Sequence, residues 1–239
     1  MTVLESAQRF GAATRRRRVY RWIALAVVVA LVALVVWVVW FSSLLSVREV
    51  RVLGTTNVSA DQVRTAADVP SDIQLARVDV DGIAERVDAI PRVRSVEVRR
   101  GWPDVLVLVV TERTPIAVTR VGTTLTYLDD TGARFGSLSV APRGMPLVVA
   151  PDAVSTGAAL AVVDALPKAL RDTVTTVTAS TRDDVVLTLA DRVTVRWGSA
   201  EQSDRKATVL AALLRVKAAS YDVSAPDLPT SRGSAAPSR

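Results

Sequence analysis

Apolar positions along the chain follow three patterns, and each pattern predicts a different kind of element. Residues 22–41 form an uninterrupted apolar run, WIALAVVVALVALVVWVVWF, without a charged side chain. Valines alternate with polar residues over 47–54 and again over 93–100, which is typical of half-buried strands. Between these, apolar side chains recur every three or four residues over 60–67 and 79–90, which is typical of amphipathic helices. The patterns therefore predict a long apolar helix followed by an α+β region.

The apolar run is long enough to cross a membrane. A helix rises about 1.5 Å per residue, so a run of this length spans about 30 Å, the thickness of a hydrocarbon core. Aromatic side chains, which favour the membrane interface, lie near its two ends at Trp22, Trp37, Trp40 and Phe41. A cleaved signal peptide has a shorter apolar core of about 7 to 15 residues. The length favours an uncleaved signal anchor.

Positive charge is concentrated before this run. Residues 1–21 contain six arginines and one glutamate, which give +5 of the chain's net charge of +6. Five of the arginines directly precede the run: Arg15, Arg16, Arg17, Arg18 and Arg21. A basic tract can bind nucleic acid, but beside a membrane span it fits the positive-inside rule. We therefore predict a basic cytoplasmic tail over 1–21, one span over 22–41, an extracytoplasmic remainder, and no nucleic-acid partner.

Residues 45–114 are predicted to form a small domain in the order β-α-α-β-β. A strand is predicted over 47–54. A helix follows it, and Ser59 and Gln62 are expected to form a capping box at its N-terminus. Asp79 is expected to cap the second helix.

Two valine-rich strands then flank the turn Gly101-Trp102-Pro103-Asp104. The valines expected to face the two helices are Val96, Val98, Val105, Val107 and Val109. Trp102, at the hairpin tip, either covers the edge of this core or contacts a partner protein.

Residues 115–225 are predicted to form a second domain, of mixed α/β type. Its strand patterns are IAVTRVG, TLTYLDD, ARFGSL, VTTVTAST, DVVLTLA and RVTVRWG. One helix is expected to bury a face made of Ala159, Val162, Val163 and Leu166. Ser203 is expected to cap a later helix, whose apolar face holds Val209, Leu210, Leu213, Leu214 and Val216.

The chain is expected to end with a short strand and a disordered tail. The strand is YDVSA, residues 221–225, which we place at an edge of the sheet because it comes last. Residues 226–239 are rich in Pro, Ser and Gly and lack an apolar period, so they are predicted to be disordered.

Composition argues against most enzyme chemistry. The chain has no histidine and no cysteine, which excludes Ser-His-Asp and Cys-His catalysis and the usual zinc sites. Asp130-Thr131-Gly132 matches the aspartic-protease tripeptide, but it lies where a hairpin turn is expected. Ser203 and Lys206 have the S-x-x-K spacing of penicillin-binding enzymes, without the companion motifs. We predict no catalysis, no cofactor, no metal and no small-molecule substrate.

Several motifs in a fixed order make the chain recognisable. V-x-x-V-x-V-x-G and the hairpin VEVRRGWPDVLVLVVTERTPIA resemble a POTRA domain, and TYLDDTGARFG resembles a D-x-x-G-x-x-F hairpin. DRVTVRWGSAEQSDRKATVLAALLRV and YDVSAPDLPTSR resemble a strand-Gly-helix unit and a last strand. In this order after a membrane span, the motifs resemble the FtsQ (DivIB) family of bacterial cell-division proteins. One departure is Ala190-Asp191-Arg192, where the family has a glycine turn, so a different turn is expected.

This resemblance implies a non-catalytic division scaffold with one membrane span at the septum. Its implied partners are FtsB- and FtsL-like proteins outside the membrane, together with septal peptidoglycan synthases. In the family the last strand receives a segment of FtsB, and the positions that carry over are Tyr221, Asp222, Val223, Ser224 and Ala225. Arg205 and Lys206 are candidates for ion pairs with that partner, or lie on a solvated face.

The resemblance also implies a second docking surface on the POTRA hairpin. Its candidate residues are Ser95, Val98, Arg100 and Trp102. A POTRA-bearing protein of an outer-membrane assembly or secretion system is the alternative class, although such proteins need a long C-terminal β-barrel.

Overall fold

The structure, a computed structural model, describes residues 9–41 and 45–233. Contacts divide the chain into two units, and the division falls between Thr111 and Glu112. Each unit is described by itself below.

The first element is a single long helix, α1, which runs from Arg9 to Phe41. Its stretch Tyr20–Val38 has a mean hydropathy of 2.6 and none of it is buried. This stretch is long and apolar enough to cross a membrane. The tail arginines belong to the same helix, although the side chains of Arg15–Arg18 lie outside the described residues.

Beyond α1, the described part of the first unit contains strands and helices in the predicted order. These are β1 (Glu49–Leu53), α2 (Ala60–Ala67), a 3₁₀ turn (Leu75–Arg77), α3 (Val80–Asp88), β2 (Val93–Gly101) and β3 (Val105–Glu112). The strands pair in the order β1-β3-β2, with β1 parallel to β3. The predicted β-α-α-β-β arrangement is confirmed.

Helices α2 and α3 begin at the predicted caps. Ser59 Oγ accepts a hydrogen bond from the Gln62 N–H at 3.1 Å. Asp79 Oδ1 accepts one from the Gly82 N–H at 3.0 Å. Each bond satisfies a backbone donor that the first helical turn leaves unpaired.

The buried face of β3 is the opposite of the predicted one. Leu106, Leu108 and Val110 are almost fully buried, whereas Val105, Val107 and Val109 are only half buried. Every residue from 105 to 110 is apolar, so alternation along this strand gives no phase. The parallel pairing with β1 sets it, because Val50 lies opposite Leu106 and Val52 opposite Leu108. The other two valines of the predicted core, Val96 and Val98, do pack against the buried cluster.

The second unit is built on one long mixed sheet. Its elements are β4 (Ala117–Val121), β5 (Thr124–Leu128), β6 (Arg134–Leu138), β7 (Leu147–Val149), α4 (Ala153–Ala165), α5 (Lys168–Arg171), β8 (Val174–Thr181), β9 (Asp184–Leu189), β10 (Thr194–Gly198), α6 (Ser203–Leu213), β11 (Ser220–Asp222) and β12 (Thr230–Arg232). The strands pair in the order β12-β11-β10-β9-β8-β7-β4-β5-β6.

Helix α4 supplies much of the core of this sheet. All four residues of its predicted apolar face are at most 2% exposed: Ala159, Val162, Val163 and Leu166. The helix contacts β7, β8 and α6. The predicted face of α4 is confirmed.

Helix α6 differs from prediction at both ends. Its N-cap is Gln202, and no side chain caps it. Ser203 is the first helical residue, and its hydroxyl accepts a hydrogen bond from Trp197 Nε1 at 3.1 Å instead of a backbone N–H. The predicted cap is therefore wrong, because the buried indole competes for the hydroxyl. Val216, placed on the apolar face by spacing, lies past the helix end and is exposed.

The turn between β9 and β10 forms without glycine. Arg192 occupies the left-handed region, with φ at 66°. Its N–H donates to the Leu189 carbonyl at 3.0 Å, and the Leu189 N–H donates to the Val193 carbonyl at 2.9 Å. An arginine here holds the conformation that a glycine adopts more easily.

The C-terminal segment is more ordered than predicted. Residues 230–232 form β12, which pairs antiparallel with β11, so the prediction of a disordered tail is wrong at these positions. A three-residue strand shows no apolar period, which explains why the pattern missed it. Residues 234–239 lie outside the described residues.

Candidate partner-docking edge of the C-terminal sheet

One end of the long sheet is formed by the last three strands. β11 pairs parallel with β10, placing Tyr221 opposite Val195 and Asp222 opposite Arg196. On its other side, β11 pairs antiparallel with β12, placing Tyr221 opposite Ser231. The segment predicted to be the edge is thus enclosed, and β12 is the terminal strand of the described sheet.

Backbone hydrogen bonds show which way the residues of β11 point. The Thr194 N–H donates to the Ala219 carbonyl at 3.3 Å, and the Val223 N–H donates to the Arg196 carbonyl at 2.9 Å. The Ala219 N–H donates on the other side, to the Arg232 carbonyl at 3.1 Å. Since backbone groups along a strand point alternately to its two sides, Asp222, next to Val223, is directed at β12. The N–H of Val223 is therefore used inside the sheet.

The five predicted contact residues fall into different environments. Tyr221 and Val223 are 3% and 0% exposed and belong to the core, so the prediction that they lie at an open edge is wrong. The Tyr221 hydroxyl donates to the Val216 carbonyl and accepts from the Ala218 N–H, which fixes the connection after α6. Ser224 and Ala225 are exposed in the connection that follows β11.

Asp222 organises that connection. Its Oδ1 accepts hydrogen bonds from the N–H and the hydroxyl of Ser224, at 3.0 and 2.6 Å. Partial burial acts to raise the pKa of Asp222, but these bonds and the charges of Arg196 and Arg232 outweigh it and hold the pKa below its usual value. Asp222 is therefore an anion in the folded protein at neutral pH.

The solvent-facing side of this end of the sheet carries charges of alternating sign. Asp184 on β9, Arg196 on β10, Asp222 on β11 and Arg232 on β12 all line one shallow depression of about 490 Å³. Arg196 Nη2 lies 3.7 Å from Asp184 Oδ1. The depression is polar, which suits a peptide or a charged side chain better than an apolar ligand.

The two cations predicted to pair with a partner are both engaged within the chain. Arg205 forms an ion pair with Asp227, in the connection between β11 and β12, and both side chains are exposed. Lys206 is 2% exposed, and its Nζ donates to the Ser199 carbonyl at 2.9 Å. Burial lowers the pKa of Lys206, although the charge of Glu201 acts to raise it. The prediction that Lys206 pairs with a partner or lies on a solvated face is wrong, because its side chain is buried and its ammonium bonds the Ser199 carbonyl.

The candidate docking residues of the first unit lie on β2 and in the turn that follows it. β2 is an edge strand, with Ser95 exposed and Val98 packed against the core. Arg100 donates from Nε to the Leu75 carbonyl at 2.9 Å and from Nη2 to the Val78 carbonyl at 2.8 Å, which ties β2 to the segment before α3.

Trp102 stands at the tip of the β2–β3 hairpin. It is 53% exposed, and it lies outside the buried cluster of its unit. The interpretation that it covers the edge of the core is not supported by this placement.

The tripeptide that resembles an aspartic protease forms the turn between β5 and β6. The buried carboxylate is that of the preceding residue, Asp129, which is 0% exposed. It accepts hydrogen bonds from the Thr131 N–H, the Thr131 hydroxyl and the Ala133 N–H at 2.6–2.9 Å, and it pairs with Arg113 Nη1 at 2.7 Å.

Sequence reasoning missed this role of Asp129. Burial acts to raise the pKa of Asp129, but the hydrogen bonds from Thr131, Arg113 and Ala133 outweigh it and lower the pKa. An aspartate followed by a second aspartate, a threonine and a glycine was the available signal, since such side chains commonly bond turn backbone. Among the described residues, no group of His, Cys, Asp or Glu side chains is arranged to hold a metal.

Comparisons with known proteins assign both units. Residues 45–113 match the family model described as POTRA domain, FtsQ-type, and residues 117–228 match cell division protein FtsQ/DivIB, C-terminal. A cell division protein FtsQ of Streptomyces collinus is 36% identical over 239 aligned positions, which cover 92% of this chain and 90% of the relative. Another, from Streptomyces coelicolor, is 38% identical over 212 positions, covering 81% of this chain and 80% of the relative.

A solved structure is also similar. It is the major extracytoplasmic domain of the division protein DivIB from Geobacillus stearothermophilus, 22% identical, with a TM-score of 0.36. The match covers 44% of this chain and 98% of that one. On the family models and the two Streptomyces relatives, the chain belongs to the FtsQ/DivIB family of cell-division proteins.

Proposed function

We propose that the chain is a non-catalytic, single-pass membrane scaffold of the division machinery whose C-terminal sheet receives an extended segment of an FtsB-like partner. The observation that carries this proposal is the terminal position of β12, a short exposed strand at one end of the nine-stranded sheet that the described residues form. A terminal strand leaves one side of its backbone unpaired, and an extended peptide can add there as a further strand.

Topology supports a role outside the cytoplasm. The candidate span Tyr20–Val38 follows an arginine-rich stretch, so the positive-inside rule places the N-terminus in the cytoplasm. Both folded units then lie outside the membrane at the division septum, where FtsB- and FtsL-like proteins and septal peptidoglycan synthases would be reached.

The proposed contact is β12 rather than the segment 221–225. Arg232 and Thr230 lie opposite Ser220 and Asp222 in register. The Arg232 carbonyl accepts a hydrogen bond from the Ala219 N–H at 3.1 Å, so Arg232 directs its backbone groups at β11. By alternation, the N–H and C=O of Ser231 point away from the sheet. Tyr221 and Val223 support the edge from within, and Arg205 holds the loop that leads to β12 through its ion pair with Asp227.

Ser231→Pro tests the docking edge. Proline is tolerated on an edge strand when its missing N–H faces outward, so the variant should fold while losing one donor to the partner strand. One backbone hydrogen bond contributes about 0.5–1.5 kcal/mol net, which predicts binding weakened about fivefold. The measurement is the affinity of the full-length chain in nanodiscs for the soluble part of its own FtsB-like partner.

Ser231→Ala is the matched control, because it removes the side chain and keeps the N–H. Equal affinities for the proline and alanine variants, with both folded by circular dichroism, would contradict docking at β12.

We also propose the β2–β3 hairpin as a second docking surface, for another division protein. Ser95 and Trp102 are exposed there, and β2 offers an edge of the three-stranded sheet. Val98 and Arg100 are engaged within the unit, so their role would be to position the strand.

A further inference from the structure

We propose that the segment docking on β12 carries an acidic side chain, Asp or Glu, directly beside Arg232 on the solvent-facing side of the sheet. This inference rests on the proposed docking at β12 and goes beyond it by assigning the partner's chemistry at one position. An acidic residue there would extend the alternation of charge across the sheet by one strand.

Charged side chains of alternating sign lie on four neighbouring strands of the sheet. Crossing the sheet from β9 to β12, the solvent-facing side presents Asp184, Arg196, Asp222 and Arg232 in turn. Arg196 lies opposite Asp222 in register and 3.7 Å from Asp184, so it has an acidic neighbour on each side. Opposite charges on neighbouring strands stabilise their pairing, and like charges oppose it.

Arg232 lies at the end of this row of alternating charges. Its register partner on β11 is Ser220, and its acidic neighbour is Asp222, one position diagonally across. Asp222 already accepts two hydrogen bonds from Ser224 and lies opposite Arg196. Arg232 therefore shares Asp222 with Arg196. The other side of Arg232 faces the position where a partner strand would add.

The terminal strand, β12, is open to solvent. All three residues of β12 are exposed in the chain alone. A partner strand would cover one side of Arg232 and remove part of its water, which strengthens its interaction with a neighbouring charge. A basic or apolar residue at that position would lose this attraction, so the row selects an acidic residue and fixes the register of the added strand.

Arg232→Glu tests the inference. It reverses the charge at the end of the row, and we expect it to weaken binding of the FtsB-like partner about tenfold, through lost attraction and added repulsion. Arg182→Glu is the matched control: it makes the same change of charge at an exposed arginine in the turn between β8 and β9. Both variants are measured as full-length chains in nanodiscs against the soluble part of the partner.

Charge reversal in the partner guards against a folding defect. Each acidic residue of the partner's docking segment is changed to arginine in turn, and one of these changes should restore binding to Arg232→Glu while weakening binding to the unaltered chain. A misfolded variant would not be rescued in this way. If no reversal restores binding, or if Arg232→Glu binds no more weakly than Arg182→Glu, the inference is wrong.

The Ser231→Pro measurement separates this failure from failure of the docking edge. If Ser231→Pro weakens binding and Arg232→Glu behaves like its control, docking at β12 stands and the acidic partner residue is wrong. If Ser231→Pro and Ser231→Ala bind equally, docking at β12 is wrong, and the inference that rests on it is overturned with it.

Discussion

Asp129 shows how much of a turn can depend on one carboxylate. Its two oxygens accept bonds from Thr131 and Ala133 and pair with Arg113, all within the second unit. Arg113 lies 16 residues away in sequence and is 22% exposed. No local pattern predicts this pairing, because it depends on how β4 and β5 bring distant residues together.

Asp129→Asn should destabilise the chain by about 2 kcal/mol, because it removes charge-assisted bonds and leaves Arg113 without its anion. The pKa of Asp129 is lowered in the folded protein, so its contribution is fully present above the ordinary aspartate pKa of about 3.9 and is lost as the pH falls through the lower folded value. Urea unfolding of the full-length chain at pH 7 and at pH 3 measures this.

The gap in stability between the unaltered chain and Asp129→Asn should be largest at pH 7 and should shrink in acid. A gap that stays constant between the two pH values would show that the carboxylate charge is not what holds the turn.

At the scale of elements, the sequence predicted which segments form strands and helices better than it predicted which faces they bury. The face of α4 could be predicted from helical spacing, because Ala159, Val162, Val163 and Leu166 recur every three or four residues. The face of β3 was not, because residues 105–110 are all apolar and only pairing with β1 sets their phase. Ser203 was misassigned for a similar reason, since its partner Trp197 comes from a different element.

Matched alanine variants test the phase of β3. Leu106→Ala should cost about 3 kcal/mol of stability, because it opens a cavity at a fully buried position. Val107→Ala, one residue on and half buried, should cost about 1 kcal/mol or less. Urea unfolding of the two full-length variants measures the difference, and equal losses would mean that both faces of β3 are equally buried.

At the scale of the whole molecule, motif order identified the family, whereas the position of the proposed docking edge had to come from the fold. A membrane span, a POTRA domain and a mixed α/β domain can be recognised in this order from the sequence, because each motif is a short continuous segment. The edge is not local: it is set by three residues, 230–232, that carry no apolar pattern and pair only because β11 lies beside them. The proposed contact segment therefore moves by one strand, from 221–225 to β12.

The two proposed docking surfaces, one in each unit, predict effects that can be separated. Trp102→Ala in the full-length chain should weaken binding of a septal peptidoglycan synthase about tenfold, as expected for an exposed aromatic side chain that a partner covers on binding, and should leave the FtsB-like partner's affinity unchanged. Val140→Ala, at an exposed apolar residue of the second unit, is the control. Affinity measurements with both partners check this. Equal binding of the synthase by Trp102→Ala and Val140→Ala would exclude Trp102 as a contact residue.

The distribution of tryptophan gives each part of the chain its own optical reporter. Of five tryptophans, Trp22, Trp37 and Trp40 belong to α1, whereas Trp102 and Trp197 are the single examples in the regions matched as POTRA and C-terminal domain. Trp197 is fully buried with its indole N–H bonded, so its fluorescence should be blue-shifted, while the emission of exposed Trp102 should follow changes in the solvent around the hairpin tip. Replacing the tryptophans of α1 by phenylalanine would leave two intrinsic fluorophores, one in the POTRA region and one in the core of the C-terminal domain.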